Sequence, residues 1–75
     1  MTDATIDNRG LQPPEPLVRI LEALGNLGEG DQLRAFMDRE PILLYPELER
    51  RGWAWTIGDE DGALVLRVFR AVGPA

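Results

Sequence analysis

The sequence contains no cysteine, no histidine and no lysine. Without cysteine the chain forms no disulfide, and without cysteine or histidine it lacks the usual ligands of a zinc site. Its longest apolar runs are far too short for a membrane-spanning helix. A chain of 75 residues buries only about 60% of the surface that its unfolded form exposes. Its stability must therefore come from a compact apolar core.

Positive charge is also scarce, with eight arginines against 13 acidic residues and a net charge of −5. Acidity of this size opposes non-specific binding to phosphate backbones. Only Arg67 and Arg70 favour RNA binding, and no basic stripe is interleaved with aromatic residues. We therefore expect neither a nucleic-acid partner nor a membrane partner. No basic segment followed by an apolar stretch stands near the start, so we expect a cytoplasmic location.

The first third of the chain predicts a strand, a turn and a helix. Residues 4–7 are β-prone, and residues 8–10 contain Asn and Gly, which tolerate positive φ. We expect Pro13 and Pro14 to keep the chain extended. The helix should cover about residues 16–27, because proline is tolerated at the first helical position. Its apolar face consists of Leu17, Ile20, Leu21, Leu24 and Leu27.

Residues 31–38 alternate in polarity and predict a second strand. Its inward side chains should be Leu33, Ala35 and Met37. A polar turn over residues 38–41 should follow. Pro46 then marks the start of a second helix, because proline is disfavoured inside one, and Gly52 ends that helix.

Two apolar segments, residues 53–57 and 64–69, flank the turn-forming stretch 58–62 and predict a β-hairpin. Trp53 and Trp55 lie two residues apart and therefore share one face of their strand. We expect this face to pack against the helices. The alternative is an outward face, on which the two indoles would anchor a partner.

The predicted order is β-α-β-α-β-β in a single domain that spans residues 1–75. It predicts an α+β fold, a two-layer α/β sandwich with a mixed four-stranded sheet and both helices on one face. The side chains on the open sheet face should then be Arg34, Phe36, Val65, Arg67 and Phe69. A face with two phenylalanines and a valine is more apolar than a monomer needs. It is therefore a candidate interface, with a homodimer as one form of the hypothesis.

The segment Gly10–Pro16 resembles the Gly-Leu-x-Cys-Pro-x-Pro signature that opens the first helix of TusA/SirA-like sulfur carriers. A closer resemblance is to a cysteine-less branch of that family, domain-of-unknown-function family 2249. Its members have stretches similar to Arg9–Pro16 and Asp38–Pro41 of this chain. The resemblance covers nearly the whole chain and implies the same two-layer fold. Some relatives in this branch are fused to hemerythrin-like domains.

The chain departs from the sulfur carriers at their reactive residue. Their cysteine holds a persulfide, whereas Pro13 occupies the matching position here. Proline has no sulfur, no nucleophile and no N–H group, and no other cysteine replaces it. Persulfide transfer is therefore excluded, and the resemblance implies only a shared scaffold and docking through the same region.

Polar residues near the start of the first helix form a candidate contact patch for a partner or ligand. Its members are Arg9, Pro13, Glu15, Asp38, Arg39 and Glu40. A helix N-terminus binds anions through free N–H groups, but the prolines remove three donors here and Glu15 is already an anion. The alternative is an exposed ion-pair network that only fixes two loops, each pair contributing about 0–1 kcal/mol.

We therefore expect a non-enzymatic protein-interaction or regulatory module with a protein partner and no cofactor. The alternative is a small-molecule or anion-binding domain linked to redox or nitrogen-oxide metabolism, which the hemerythrin fusions suggest. A pocket closed by Arg9 and Arg39 would support that alternative. Carboxylate catalysis requires a pocket that shifts a pKa, and this chain is short for one. Residues 59–61 offer three carboxylates to a hard cation, but we favour a solvated hairpin tip and expect no metal site.

Overall fold

A computed structural model of the chain describes residues 3–28 and 30–70. The elements are β1 (Asp3–Asp7), α1 (Glu15–Gly25), β2 (Gln32–Met37), a 3₁₀ helix (Ile42–Leu44), α2 (Tyr45–Arg50), β3 (Trp53–Glu60) and β4 (Ala63–Arg70). This order confirms the predicted β-α-β-α-β-β arrangement and the α+β class.

The four strands form one mixed sheet in the order β1-β2-β4-β3. β1 runs parallel to β2, and α1 makes the connection between them. β4 lies antiparallel to both β2 and β3. The sheet therefore has two edges, one formed by β1 and the other by β3.

The β3–β4 hairpin turns more tightly than the sequence predicted. The whole of residues 58–62 was predicted as turn, but β3 continues to Glu60 and only Asp61 and Gly62 lie between the strands. Both residues have positive φ, 52° and 82°. Asp-Gly is a preferred pair for such a two-residue turn, because its twist matches that of the flanking strands. The hairpin strands are consequently eight residues long.

Both helices pack on the same face of the sheet, over a single core. Its buried members are Ile20, Leu24, Leu33, Ala35, Met37, Leu44, Leu48, Trp53, Leu66 and Val68. This confirms the inward residues predicted for β2. Trp55 packs against the same core, so the expectation that both indoles face the helices is confirmed.

The start of α1 differs from the prediction. The helix spans Glu15–Gly25 rather than residues 16–27, and Pro13 and Pro14 form a turn instead of an extended segment. The Glu15 N–H group donates to the Gln12 carbonyl at 3.0 Å and closes this turn. Asn26 caps the C-terminal end of the helix, and its N–H group still bonds to carbonyls of the preceding turn.

The predicted second helix is confirmed as α2, which follows directly from the 3₁₀ helix. Leu44 and Leu48 are completely buried. Glu47 pairs with both Arg50 and Arg51, at 2.9 and 3.3 Å. In the described part of the chain, no helix is long and apolar enough to span a membrane.

Replacing Leu48 tests the core. Leu48 is 0% exposed, so Leu48→Ala should lower the free energy of unfolding by about 2–5 kcal/mol, through lost burial and the cavity that remains. Urea unfolding followed by tryptophan fluorescence measures this change.

The control is Val18→Ala, because Val18 is 46% exposed on α1. A surface substitution of this kind should change the free energy of unfolding by no more than about 0.5 kcal/mol. Equal losses in the two variants would contradict the burial described here.

Candidate functional site

Asn8 joins three elements near the start of α1. It is 1% exposed, although the sequence suggested only a turn residue. Its N–H group donates to the Phe36 carbonyl at 2.8 Å, and its Nδ2 donates to the Pro16 carbonyl at 3.1 Å. The backbone of Asn8 thus links the end of β1 to β2, and its side chain links it to α1. Its Oδ1 has no hydrogen-bond partner in the described part of the chain.

The loop after β1 is held by two carboxylates. Asp7 accepts hydrogen bonds from Arg9 Nε at 2.9 Å and Arg9 Nη2 at 2.8 Å. The Gly10 N–H group donates to Asp38 Oδ2 at 2.7 Å, which joins the loops that follow β1 and β2. The side-chain and backbone hydrogen bonds from Arg9 lower the pKa of Asp7 from 3.8 to about 2. Arg9 therefore has an intramolecular partner.

The candidate contact patch is only partly assembled in the structure. The hydrogen bond to Asp7 is the main cause that raises the pKa of Arg9, and the charge of the nearby Asp38 adds a smaller effect. Glu40 instead accepts a hydrogen bond from the Tyr45 hydroxyl at 2.9 Å. Glu15 and Arg39 form no ion pair with any described residue. Among the patch residues, Asp38 joins the two loops through Gly10, but no described ion pair links two members of the patch, so the predicted ion-pair network is not formed. Pro13 is exposed at this end of the molecule.

An open depression of about 510 Å³ lies beside this patch. It is lined by Arg9, Met37, Asp38, Asp59, Asp61, Gly62, Ala63 and Leu64. Three of these residues are carboxylates, and the single arginine already pairs with Asp7. Arg39, which the anion-binding hypothesis requires, does not line it. The local charge therefore disfavours an anion.

The open sheet face is covered by three arginines, Arg9, Arg34 and Arg67, which we call the arginine layer. Arg34 and Arg67 both donate to Glu60, the latter at 2.9 Å. The hydrogen bonds from Arg34 and Arg67 lower the pKa of Glu60, with Arg34 the larger cause. The guanidinium groups of Arg9 and Arg34 lie 5.0 and 4.9 Å from the Phe36 ring centroid, within the range of a cation–π interaction.

These contacts reduce the apolar surface of the candidate sheet-face interface. Val65 is 2% exposed and lies in register between Phe36 and Gly58. Phe69 is half-buried. The predicted side chains do share this face, but its most central apolar residue is not accessible. Arg67 forms an ion pair with Glu60. One of the two arginines that favoured RNA binding is therefore already paired within the chain.

The hairpin tip forms no cluster of metal ligands. Among residues 3–28 and 30–70, no group of three or more carboxylates is placed to hold a metal ion. Asp59 and Glu60 are consecutive strand residues and therefore point to opposite faces of the sheet. Glu60 already forms ion pairs with Arg34 and Arg67.

A second depression of about 580 Å³, which we call the α2 groove, is lined by Ile42, Tyr45, Pro46, Glu49, Arg50 and Trp55. The Tyr45 and Trp55 rings are stacked, with centroids 4.8 Å apart and planes 17° apart. Burial, aided by the hydrogen bond to Glu40, raises the pKa of Tyr45 to about 12. Ile42 is 64% exposed, and the adjacent Leu43 is 86% exposed.

The α2 groove is a site that the sequence patterns considered above do not predict. The available signal was the run Ile42-Leu43-Leu44-Tyr45. Four consecutive apolar residues in one helical turn cannot all face the core, because successive side chains point about 100° apart. Leu44 takes the inward position, so Ile42 and Leu43 remain in solvent.

Residues 5–70 match the family described as uncharacterized conserved protein DUF2249. The chain belongs to this family. No curated protein and no solved structure matches it. The expected membership of DUF2249 is thus confirmed, and no named relative links the chain to TusA/SirA proteins.

Acid should destabilise the domain through Asp7. The pKa of this carboxyl is lowered from 3.8 to about 2 in the folded state. Its stabilising contribution is therefore complete above about pH 4 and is lost as the pH falls through about 2. Asp7→Asn should flatten the dependence of the unfolding free energy on pH in this window, as measured by urea titrations at several pH values.

Glu22→Gln is the control for this test, because Glu22 is exposed on α1 and has no ion pair among the described residues. Its pH dependence should follow that of the unmodified chain. A dependence in Asp7→Asn as steep as that of the unmodified chain would disprove the role of the Asp7–Arg9 pair.

Proposed function

We propose that this domain is a non-enzymatic protein-interaction module that binds its partner through the α2 groove and the adjoining Ile42 and Leu43. The observation that carries the proposal is the exposure of Ile42, which lines the groove with the stacked Tyr45 and Trp55 rings, and of Leu43, the next residue in the chain. The surface differs from the two that the sequence suggested. Contiguous apolar surface on a small protein is typical of an interaction site.

The composition of the groove favours a protein partner. Aromatic residues are enriched in interface cores and frequently dominate binding energy. Glu49 and Arg50 line the same groove as Trp55. These two residues give the groove a polar rim with one negative and one positive charge. The stack holds Tyr45 and Trp55 in place before binding, so little side-chain entropy is lost there.

The scaffold is consistent with an origin among proteins that resemble sulfur carriers. Under this proposal the domain retains their two-layer architecture and their ability to dock a partner. It cannot retain their chemistry, since Pro13 stands in the position of the cysteine. The function is then exerted through binding alone, in an interaction or regulatory role.

The anion-binding alternative receives no support from the depression near the first helix. That depression is lined by Asp38, Asp59 and Asp61, and its carboxylates would repel an anion. Its single arginine would have to leave Asp7 before it could bind a ligand. The interaction module is therefore the better account of the described residues.

Cross-linking followed by affinity capture from the native cells tests the proposal. Ile42→Asp and Leu43→Asp should each reduce recovery of the partner at least tenfold, because a charge would be buried in an apolar contact. Val18→Asp is the matched control, since Val18 is a 46% exposed aliphatic residue on α1.

Circular dichroism melting should first show that all three variants are folded. Loss of the partner from the two groove variants, with retention by Val18→Asp, is the expected result. Equal recovery from all three variants would overturn the proposed binding surface.

A further inference from the structure

We propose that the partner at the α2 groove is a second copy of this chain, joined antiparallel through the free edge of β3. This inference rests on the proposed function and names the partner for the same surface. It predicts a two-fold symmetric dimer with a continuous eight-stranded sheet, in which both copies keep their helices on the same side.

The β3 edge lacks the features that normally prevent edge-to-edge pairing. Exposed edges are usually protected by short strands, charged residues, proline or bulges. β1, at the other edge, has five residues and carries Asp3 and Asp7. β3 has eight residues, and Trp53–Gly58 contains neither a charge nor a proline. The edge available for association is therefore β3.

Symmetry restricts how two β3 strands can pair. Directly opposed residues in an antiparallel pair lie on the same face of the sheet. The registers that pair most of β3 place either Thr56 or Ile57 on the two-fold axis. With Thr56 on the axis, Trp55 lies opposite Ile57 of the second copy, and Trp53 lies opposite its Asp59.

Charge complementarity favours the register centred on Thr56. The Arg70 guanidinium lies 4.0 Å from the Trp53 ring centroid, so this cation reaches from β4 across β3. Asp59 is exposed, lies on the same face as Trp53, and forms no ion pair with any described residue. Pairing brings Asp59 of each copy to Arg70 of the other. The register centred on Ile57 places Asp59 opposite Trp55 instead.

The same arrangement covers the α2 groove. Trp55 lines the groove and belongs to the edge strand, so the grooves of the two copies adjoin across the two-fold axis. The opposed Ile57 then supplies an aliphatic contact to Trp55. Main-chain hydrogen bonds along β3 and apolar contacts at the groove thus act in one interface.

A charge-reversal experiment tests this dimer. In a dimer of Asp59→Arg, the new arginine of each copy would face Arg70 of the other copy. In a dimer of Arg70→Asp, the new aspartate of each copy would face Asp59 of the other copy. Each variant should weaken self-association at least tenfold, because two pairs of like charges would be brought close together in the dimer and would repel each other. An equimolar mixture should restore association, since both contacts then join opposite charges. Analytical ultracentrifugation over a range of protein concentrations measures the dissociation constants.

Glu22→Arg on α1 makes the same change in net charge as Asp59→Arg and should associate like the unmodified chain. Circular dichroism should show that each variant is folded, since Arg70 also donates to the Arg51 carbonyl at 3.1 Å. If Arg70→Asp unfolds, Thr56→Arg replaces it, because two arginines would meet on the two-fold axis. Self-association of this variant at least tenfold weaker than that of the unmodified chain supports the proposal, and unchanged association overturns it.

A monomeric unmodified chain at all concentrations, or folded charge variants that fail to associate when mixed, would overturn the dimer. The proposed function would still hold after these outcomes if the unmodified chain captures a protein other than itself and Ile42→Asp and Leu43→Asp do not. If neither a dimer nor a groove-dependent partner is found, both proposals fail.

Discussion

The arginine layer is the interaction on which the rest of this small structure depends. A two-layer domain covers one face of its sheet with helices and leaves the other face bare. Here Arg9 and Arg34 lie over Phe36, while Glu60 joins Arg34 to Arg67. The long arginine side chains cover apolar surface with their stems and keep their charge in water. The open face is thereby closed without a further layer of secondary structure.

Closing the open face determines where accessible apolar surface remains. Val65 is buried there within the single chain, and the carboxylates near the first helix hold the loops together. The remaining large apolar side chains in solvent are Val18, Ile42 and Leu43 among the described residues. Ile42 lines the α2 groove together with Trp55 of the edge strand β3, and Leu43 is the next residue in the chain. Because only one face of the sheet is covered by helices, the other face is closed by arginines, and the proposed interaction surface lies elsewhere.

The sequence was sufficient for the element order and for the inward side of each strand. Alternation in β2 placed Leu33, Ala35 and Met37 correctly, because burial on one face imposes a two-residue period. The tight turn could also have been predicted from the sequence, since Asp61-Gly62 is a preferred pair for a two-residue hairpin. Local pattern and chain geometry agree in these elements.

Contacts between distant residues were not predictable in the same way. Glu60 neutralises Arg34 from 26 positions away, and this pairing exists only once β4 lies between β2 and β3. Asn8 looked like an ordinary turn residue, and its burial depends on how α1 crosses the sheet. The open face therefore appeared more apolar in the sequence than it is in the fold.

The most direct test of this account is a dilution series followed by two-dimensional ¹H–¹⁵N NMR of the uniformly labelled chain. We expect concentration-dependent shifts at the β3 amides, the Trp55 indole and the amides of Ile42 and Leu43, with none at Phe36 or Phe69. Shifts centred on Phe36 and Phe69 would contradict the account, because they would show that the arginine layer does not close the open face.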